Sequence, residues 1–247
     1  MALQEIADAQ GDVDAFIAQQ SQEAKAVPAV AAEIALRLLK AGRKEEAWAA
    51  INAIDEERRG WIPFEWEQTR ILVLDEMGRS EEAQTFRWIC FERSLSKEHL
   101  QSYLKRLPDF DDIEAEERAM VHALDHPSVH QALYFLMTWP APDKAAELVL
   151  TRADELDGDH YEVLTPAADE LEAKHPLAAT LLRRALIDFA LDKGRASRYR
   201  HAARHFMACE SLAKSIDDFG PIETHEVYQA RLEATHGRKL SFWGLVT

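Results

Sequence analysis

The sequence predicts an all-α protein, an α-α superhelix (solenoid) of tetratricopeptide-like helix hairpins. Three observations predict it. First, one phrase occurs twice, as Gly42-Arg43-Lys44-Glu45-Glu46-Ala47 and Gly78-Arg79-Ser80-Glu81-Glu82-Ala83, 36 residues apart. That spacing is close to the roughly 34-residue period of a tetratricopeptide array. Second, each copy follows an apolar helical stretch, ending Leu38-Leu39-Lys40-Ala41 or Val73-Leu74-Asp75-Glu76-Met77, and opens another. Third, no stretch alternates apolar and polar residues with β-branched enrichment, as a strand would. The phrase has a mechanism. Glycine takes the left-handed conformation that ends a helix. The glutamates fall in the first turn of the next helix, where the dipole favours negative charge. Alanine lets the two helices approach.

In chain order, residues 2–9 and 12–22 read as a short helix pair turning at Gly11, with Gly11-Asp12-Val13-Asp14-Ala15 as a degenerate copy of the phrase. Pro28 stands near a helix start, where proline is tolerated. Val30, Ile34 and Leu38 then recur at helical spacing. The partner helix, 44–58, carries Trp48, Ile51 and Ile54, and Arg58-Arg59-Gly60-Trp61-Ile62-Pro63 breaks the pattern. The second pair carries Trp66, Ile71 and Leu74, then Phe86, Ile89 and Cys90. After residue 95 the period is lost. Ser96 caps a helix to about Leu107, and Pro108-Asp109-Phe110-Asp111-Asp112 is the best break, leading into a helix near 113–124. Pro127 starts the next helix, which Trp139-Pro140 ends. Asp143 caps a further one, which Gly158 closes. Pro166 and Pro176 mark helix starts. A long hairpin joins 176–192 to 197–216 through Lys193-Gly194-Arg195, and a last helix near 222–235 precedes the tail Phe242-Trp243. The count is twelve to fourteen helices. Residues 1–107 form tetratricopeptide-like pairs, and residues 108–247 continue the solenoid irregularly.

The totals exclude several classes. A net charge of −15 argues against general nucleic-acid binding, which needs phosphate-neutralising Lys and Arg. The two cysteines, Cys90 and Cys209, sit in apolar helical sequence and make no disulfide framework, which points to a reducing cytoplasm. The first residues have neither the basic region nor the apolar core of a signal peptide, and no apolar run is long enough to span a membrane.

Several strings carry a resemblance. Asp159-His160-Tyr161-Glu162-Val163-Leu164-Thr165-Pro166, Lys174-His175-Pro176-Leu177-Ala178-Ala179-Thr180, Ser197-Arg198-Tyr199-Arg200-His201-Ala202-Ala203-Arg204-His205, Leu107-Pro108-Asp109-Phe110-Asp111-Asp112 and Gly237-Arg238-Lys239-Leu240-Ser241-Phe242-Trp243 together resemble the bacterial domain-of-unknown-function family 6880. The resemblance spans nearly the whole chain. It implies a tetratricopeptide-like helical architecture and brings no catalytic residues with it. Members of that family are often longer at the N-terminus, so the chain is expected to match the C-terminal portion of the plan. The C-terminal hairpin also resembles helical regions of some proteins with a SWIM-type zinc finger, but the Cys-x-Cys and Cys-x-His of that finger are absent.

The strongest constellation is a basic patch. Arg183, Arg184, Lys193, Arg195, Arg198, Arg200 and Arg204 face only Asp188 and Asp192, a local net charge of +5 that leaves about −20 for the rest. Arginines make forked contacts with carboxylate or phosphate. The blander reading is a solvated face paired with the chain's own carboxylates, notably Asp109 to Glu117. His201 and His205 are four apart, a spacing that can ligate a metal, but Ala202 stands where the metalloprotease pattern needs Glu. Glu172-x-x-His175 and Glu233-x-x-His236 have the form used in di-metal bundles, and Pro176 disfavours helix at His175. His122, His126 and His130 straddle Pro127. Cys209 reads as a buried thiol. No nucleotide or hydrolase fingerprint occurs. The sequence therefore points to a non-enzymatic protein-interaction scaffold without cofactor or metal. Its expected partner is a protein or peptide of acidic character, bound through Arg183, Arg184, Arg195, Arg198, Arg204, His201 and His205. The alternative is a nucleic-acid-associated module using the basic hairpin 183–204.

Overall fold

A computed structural model describes residues 13–54 and 62–246, which hold fifteen α-helices and no strand. The expected helix at 2–9, its turn at Gly11-Asp12 and the linker residues Arg58 to Trp61 lie outside the described residues. The chain divides into two compact units, Met1–Pro108 and Asp109–Thr247.

The first unit contains α1 (Val13–Ala18), α2 (Gln22–Lys25), α3 (Pro28–Lys40), α4 (Lys44–Asn52), α5 (Phe64–Glu76), α6 (Ser80–Ser94) and α7 (Lys97–Leu104). Helix α3 packs on α4 and α5, α4 on α5, α5 on α6, and α6 on α7. Phe16, Ile34, Leu38, Ile51, Trp66 and Val73 form one core among these helices. Ser96 caps α7 as expected, its hydroxyl accepting from the His99 N–H at 3.3 Å.

Both copies of the repeated phrase build the same turn. Gly42 and Gly78 each have φ +73°. The Gly42 N–H donates to the Leu39 carbonyl and the Arg43 N–H to the Leu38 carbonyl, both at 2.9 Å; Gly78 and Arg79 repeat this on Asp75 (3.0 Å) and Leu74 (2.9 Å). This paired ending satisfies carbonyls that a helix terminus leaves open. The phrase also makes a fork that its spacing did not announce. Arg43 donates twice to Glu46, at 2.7 Å each, and Arg79 twice to Glu82, at 2.7 and 2.6 Å. The glutamates thus answer a guanidinium as well as the helix dipole. Arg79 also lies 4.2 Å from the centroid of the Trp48 ring, and Lys44 pairs with Glu76 at 3.1 Å, so each phrase reaches a neighbouring helix pair.

Ala47 and Ala83 are fully buried. Ala83→Leu is therefore expected to overpack its helix contact and cost roughly 1–3 kcal/mol, read as a lower chemical-denaturation midpoint. An unchanged midpoint would mean that the helices have room for three more carbons at this contact.

The second unit contains α8 (Asp111–Leu124), α9 (Val129–Thr138), α10 (Pro142–Thr151), α11 (Tyr161–Leu171), α12 (Pro176–Asp192), α13 (Tyr199–Ala213), α14 (His225–His236) and α15 (Leu240–Trp243). Helices α9 and α10 each pack on the next helix and on the next but one, α11 packs on α12, and α13 lies along α12 and meets α14 and α15. Tyr199, Phe206 and Phe242 close this end through edge-on ring contacts.

Three expectations change here. Pro166 lies inside α11 rather than at its start. Its ring cannot donate to the carbonyl four residues back, but Pro166 is exposed and the buried face of Leu164, Ala167, Ala168 and Leu171 runs unbroken past it. Pro142 begins α10 with Ala141 at its cap, and Asp143 falls one position inside. Gly158 closes no helix: α10 ends at Thr151 and a 3-10 turn, Ala153–Glu155, follows. The expected turn at Lys193-Gly194-Arg195 is present. Gly194 has φ +60°, and its N–H and that of Arg195 donate to Leu191 (3.1 Å) and Ala190 (2.9 Å), repeating the Gly42 and Gly78 ending.

Candidate functional site

Helix α12 is the support of the candidate site, and its 100° step per residue decides where its two arginines go. Consecutive positions do not share a face, so Arg183 and Arg184 enter different cavities. Arg183 lines a cleft of about 500 Å³ together with Arg198, His201, Arg204 and His205. Arg184 lines a second cavity of about 600 Å³. Arg195 lines neither; it sits exposed on the turn beyond α12.

The two helix arginines are structural. Arg183 is only 6% exposed. Its Nη2 donates to Asp169 at 2.8 Å and Glu172 at 2.7 Å, and its Nη1 to His205 Nδ1 at 3.2 Å. Arg184 is 5% exposed. Its Nη1 donates to the Glu223 carbonyl at 2.8 Å, and its guanidinium lies 4.4 Å from the centroid of the Tyr228 ring. Both guanidiniums lie beneath the surface, and these contacts offset the cost of burying them.

The later arginines differ. Arg198 is half-buried between the Tyr161 and Phe189 rings, 4.8 and 5.2 Å from their centroids, and pairs with Asp159 at 2.9 Å. Its Nη1 is buried with no hydrogen-bond partner. Arg204 is exposed and contacts His201 Nδ1 at 3.2 Å. Arg195, Arg200 and Arg204 have no carboxylate partner among the described residues. The carboxylates that do answer the patch come from α11 and the residues around it, Asp159, Asp169 and Glu172. The run Asp109 to Glu117, the expected internal partner, makes no ion pair with it. Sequence reading missed Tyr161, Asp159 and Asp169, and no local spacing marks them, since they reach the hairpin only through the packing of α11 on α12.

The metal-type spacings resolve into other contacts. His175 pairs with Asp143 and His236 with Asp192, each at 2.9 Å, so neither uses the glutamate three residues before it. His201 and His205 each accept from an arginine at Nδ1. In the first unit Glu67, Cys90 and His99 place one ligating atom each within 4.8 Å of one another, all buried. Both Glu67 oxygens are already taken there, one by His99 Nε2 at 2.7 Å and the other by Arg93. Burial pushes the Cys90 and Cys209 thiols up to about 12, so both stay protonated at neutral pH.

Burial, and then the charge of Arg183, lower His205 to about 4. His225, 4% exposed, is lowered by burial and by Arg184. His205 thus stays neutral in the folded chain where an unfolded histidine takes its proton, near 6.5, and His225 is shifted in the same direction. The unfolded chain binds more protons as pH falls below that value, so stability must fall with it. Between about pH 6.5 and 5, above the carboxylate range, each such ring adds a slope of up to about 1.4 kcal/mol per pH unit. Urea unfolding across that window is expected to show the loss, and His205→Gln to lessen the slope by one ring's share, since His225 and the buried His99 are lowered too; a flat wild-type profile would show that the rings are not shielded.

A family model described as a family of unknown function, DUF6880, matches residues 1–245. The chain belongs to that family. No curated protein and no solved structure matched the chain significantly. The family description assigns no reaction, so for the domain-of-unknown-function family 6880 the function has to be argued from the site. No helix among the described residues is long and apolar enough to cross a membrane.

Proposed function

We propose that the protein is a protein-interaction scaffold of tetratricopeptide-like hairpins, with 1–107 as helix pairs and 108–247 as a less regular run of hairpins, and that its basic hairpin docks an acidic peptide segment. The superhelical reading is supported by the two phrase turns, which share their φ and hydrogen bonds, and by the packing of α3, α9 and α10 on the next helix and the next but one, the arrangement in which hairpins bury faces they cannot bury alone. The cytoplasm is the compartment this reading favours. The observation that carries the docking proposal is the cleft, which collects five of the seven residues the sequence singled out. Its volume is that of a ligand pocket, and its rim keeps Arg204 without a carboxylate. Arg195 and Arg200 extend the positive rim beyond it.

A nucleic-acid module would need a continuous basic stripe to neutralise successive phosphates. Here the carboxylates Asp159, Asp169 and Glu172 interrupt the patch. The test is fluorescence anisotropy with two labelled probes of equal charge, a glutamate-rich peptide and a single-stranded RNA. The peptide is expected to bind and to weaken with salt, as exposed charges are screened. RNA binding tighter than the peptide would reverse the choice.

A further inference from the structure

The hydrogen-bonding inventory of the cleft is lopsided. Arginine only donates, so an imidazole nitrogen facing one must accept. Arg183 donates to His205 Nδ1, and Arg204 to His201 Nδ1. Each neutral ring then carries its proton on Nε2, as a further donor. Arg198 Nη1 is buried with no partner, and so is Nε of Arg183, a side chain more than nine-tenths buried in the cleft wall. The Ser197 hydroxyl also lines the cleft. The one carboxylate in the lining, Asp169, is already engaged by Arg183 at 2.8 Å. Donors without acceptors call for an oxygen-rich anion.

The charge count sets its valence. Arg183 is answered by Asp169 and Glu172, and Arg198 by Asp159. Arg204 is answered by no carboxylate among the described residues. Three guanidiniums thus meet three carboxylates at the cleft, which has no net charge to spare for a dianion; because Arg183 takes two of the carboxylates, Arg204 at the rim is the guanidinium without one. A dianion would stand beside Asp159 and Asp169 with too little positive charge to offset both; a monoanion needs only Arg204 and the free Nη1 of Arg198. Leu186, Ala190 and Ala202 supply an apolar wall in the same cleft.

Resting on the docking reading above, we infer that the cleft takes one carboxylate side chain of the partner peptide, held by Arg204 and Arg198, with an adjacent apolar residue against Leu186, Ala190 and Ala202. The carboxylate gives exposed Arg204 the anionic acceptor that the described residues leave it without, and the apolar neighbour fixes which acidic residue enters.

The test is a titration of the full chain with acetyl-Leu-Glu-amide, acetyl-Leu-Gln-amide and acetyl-Leu-phosphoserine-amide, followed by two-dimensional NMR. Probe concentrations up to about 20 mM reach the weak affinities of single-residue contacts. The glutamate probe is expected to shift Ser197, His201 and Arg204 saturably, with the glutamine probe at least about tenfold weaker. Arg204→Met, which keeps the aliphatic stem, is expected to lose the discrimination while melting like the parent. Equal binding of the glutamine probe, or no saturation by the glutamate probe, overturns the carboxylate subsite. Phosphoserine binding about tenfold tighter than glutamate overturns the monoanion assignment in favour of a phosphoryl group. The two readings fail separately. If the glutamate probe fails while a long acidic peptide still binds and is lost on Arg195→Glu/Arg204→Glu, the subsite falls and docking stands. If the long peptide fails too, docking itself falls.

Discussion

Gly158→Ala is expected to cost about 3 kcal/mol or more, one of the two largest single effects in the molecule. A Cβ at this position would lie 2.2 Å from the Ala185 carbonyl oxygen and 2.6 Å from Phe189 Cβ. The first obstacle is backbone in the middle of α12, so no rotamer change relieves it. Overpacking costs about 1–3 kcal/mol when neighbours can yield, and here they yield only if α12 moves. At roughly 2–4 °C per kcal/mol for a chain of this size, the melting temperature should drop by roughly 6–12 °C. Gly158 also lines both cavities beside α12, so peptide binding should weaken even well below the new melting point. Thermal denaturation within a degree or two of the parent would show that the 152–160 segment stands further from α12 than the structure places it.

Arg195→Glu/Arg204→Glu carries the second large effect, on binding rather than stability. Both side chains are exposed, and neither has a carboxylate partner among the described residues, so their removal breaks no ion pair and only the exposed Arg204–His201 contact. Surface charges of this kind contribute about 0–1 kcal/mol to stability, and melting should move little. Affinity for a glutamate-rich peptide should fall about tenfold or more, since two attractive contacts become repulsive. Arg198→Glu behaves differently. It strips a guanidinium from between Tyr161 and Phe189 and sets Glu beside Asp159, so it should lower stability together with binding. A double variant at 195 and 204 that melts normally and binds normally would remove the patch from the account.

The features legible in the sequence are those whose cause is local. Gly42, Gly78 and Gly194 announce helix ends because a left-handed φ is a demand on one residue. Ser96 caps its helix and Pro176 starts one because each acts within a turn. Where the cause is tertiary, local reading misleads. Pro166 reads as a start, yet the buried face of α11 carries the helix through it. Gly158 reads as punctuation, yet its lack of a side chain serves contact with α12, twenty-seven residues away in the chain. The basic patch was visible as composition, but its division was not. Adjacent arginines at 183 and 184 point into separate cavities, and the carboxylates that neutralise part of the patch arrive on another helix. The helical step alone could have separated that pair; nothing in the spacing could have supplied Asp159 or Asp169.

Hydrogen–deuterium exchange of the full chain with and without a glutamate-rich peptide tests the central claim most directly, because it reports where the peptide lies rather than whether it binds. The account predicts protection concentrated at 161–169 and 195–205, the two walls of the cleft, and its loss in Arg195→Glu/Arg204→Glu. Protection confined to the helices of Met1–Pro108, with 161–169 and 195–205 unchanged, would contradict it.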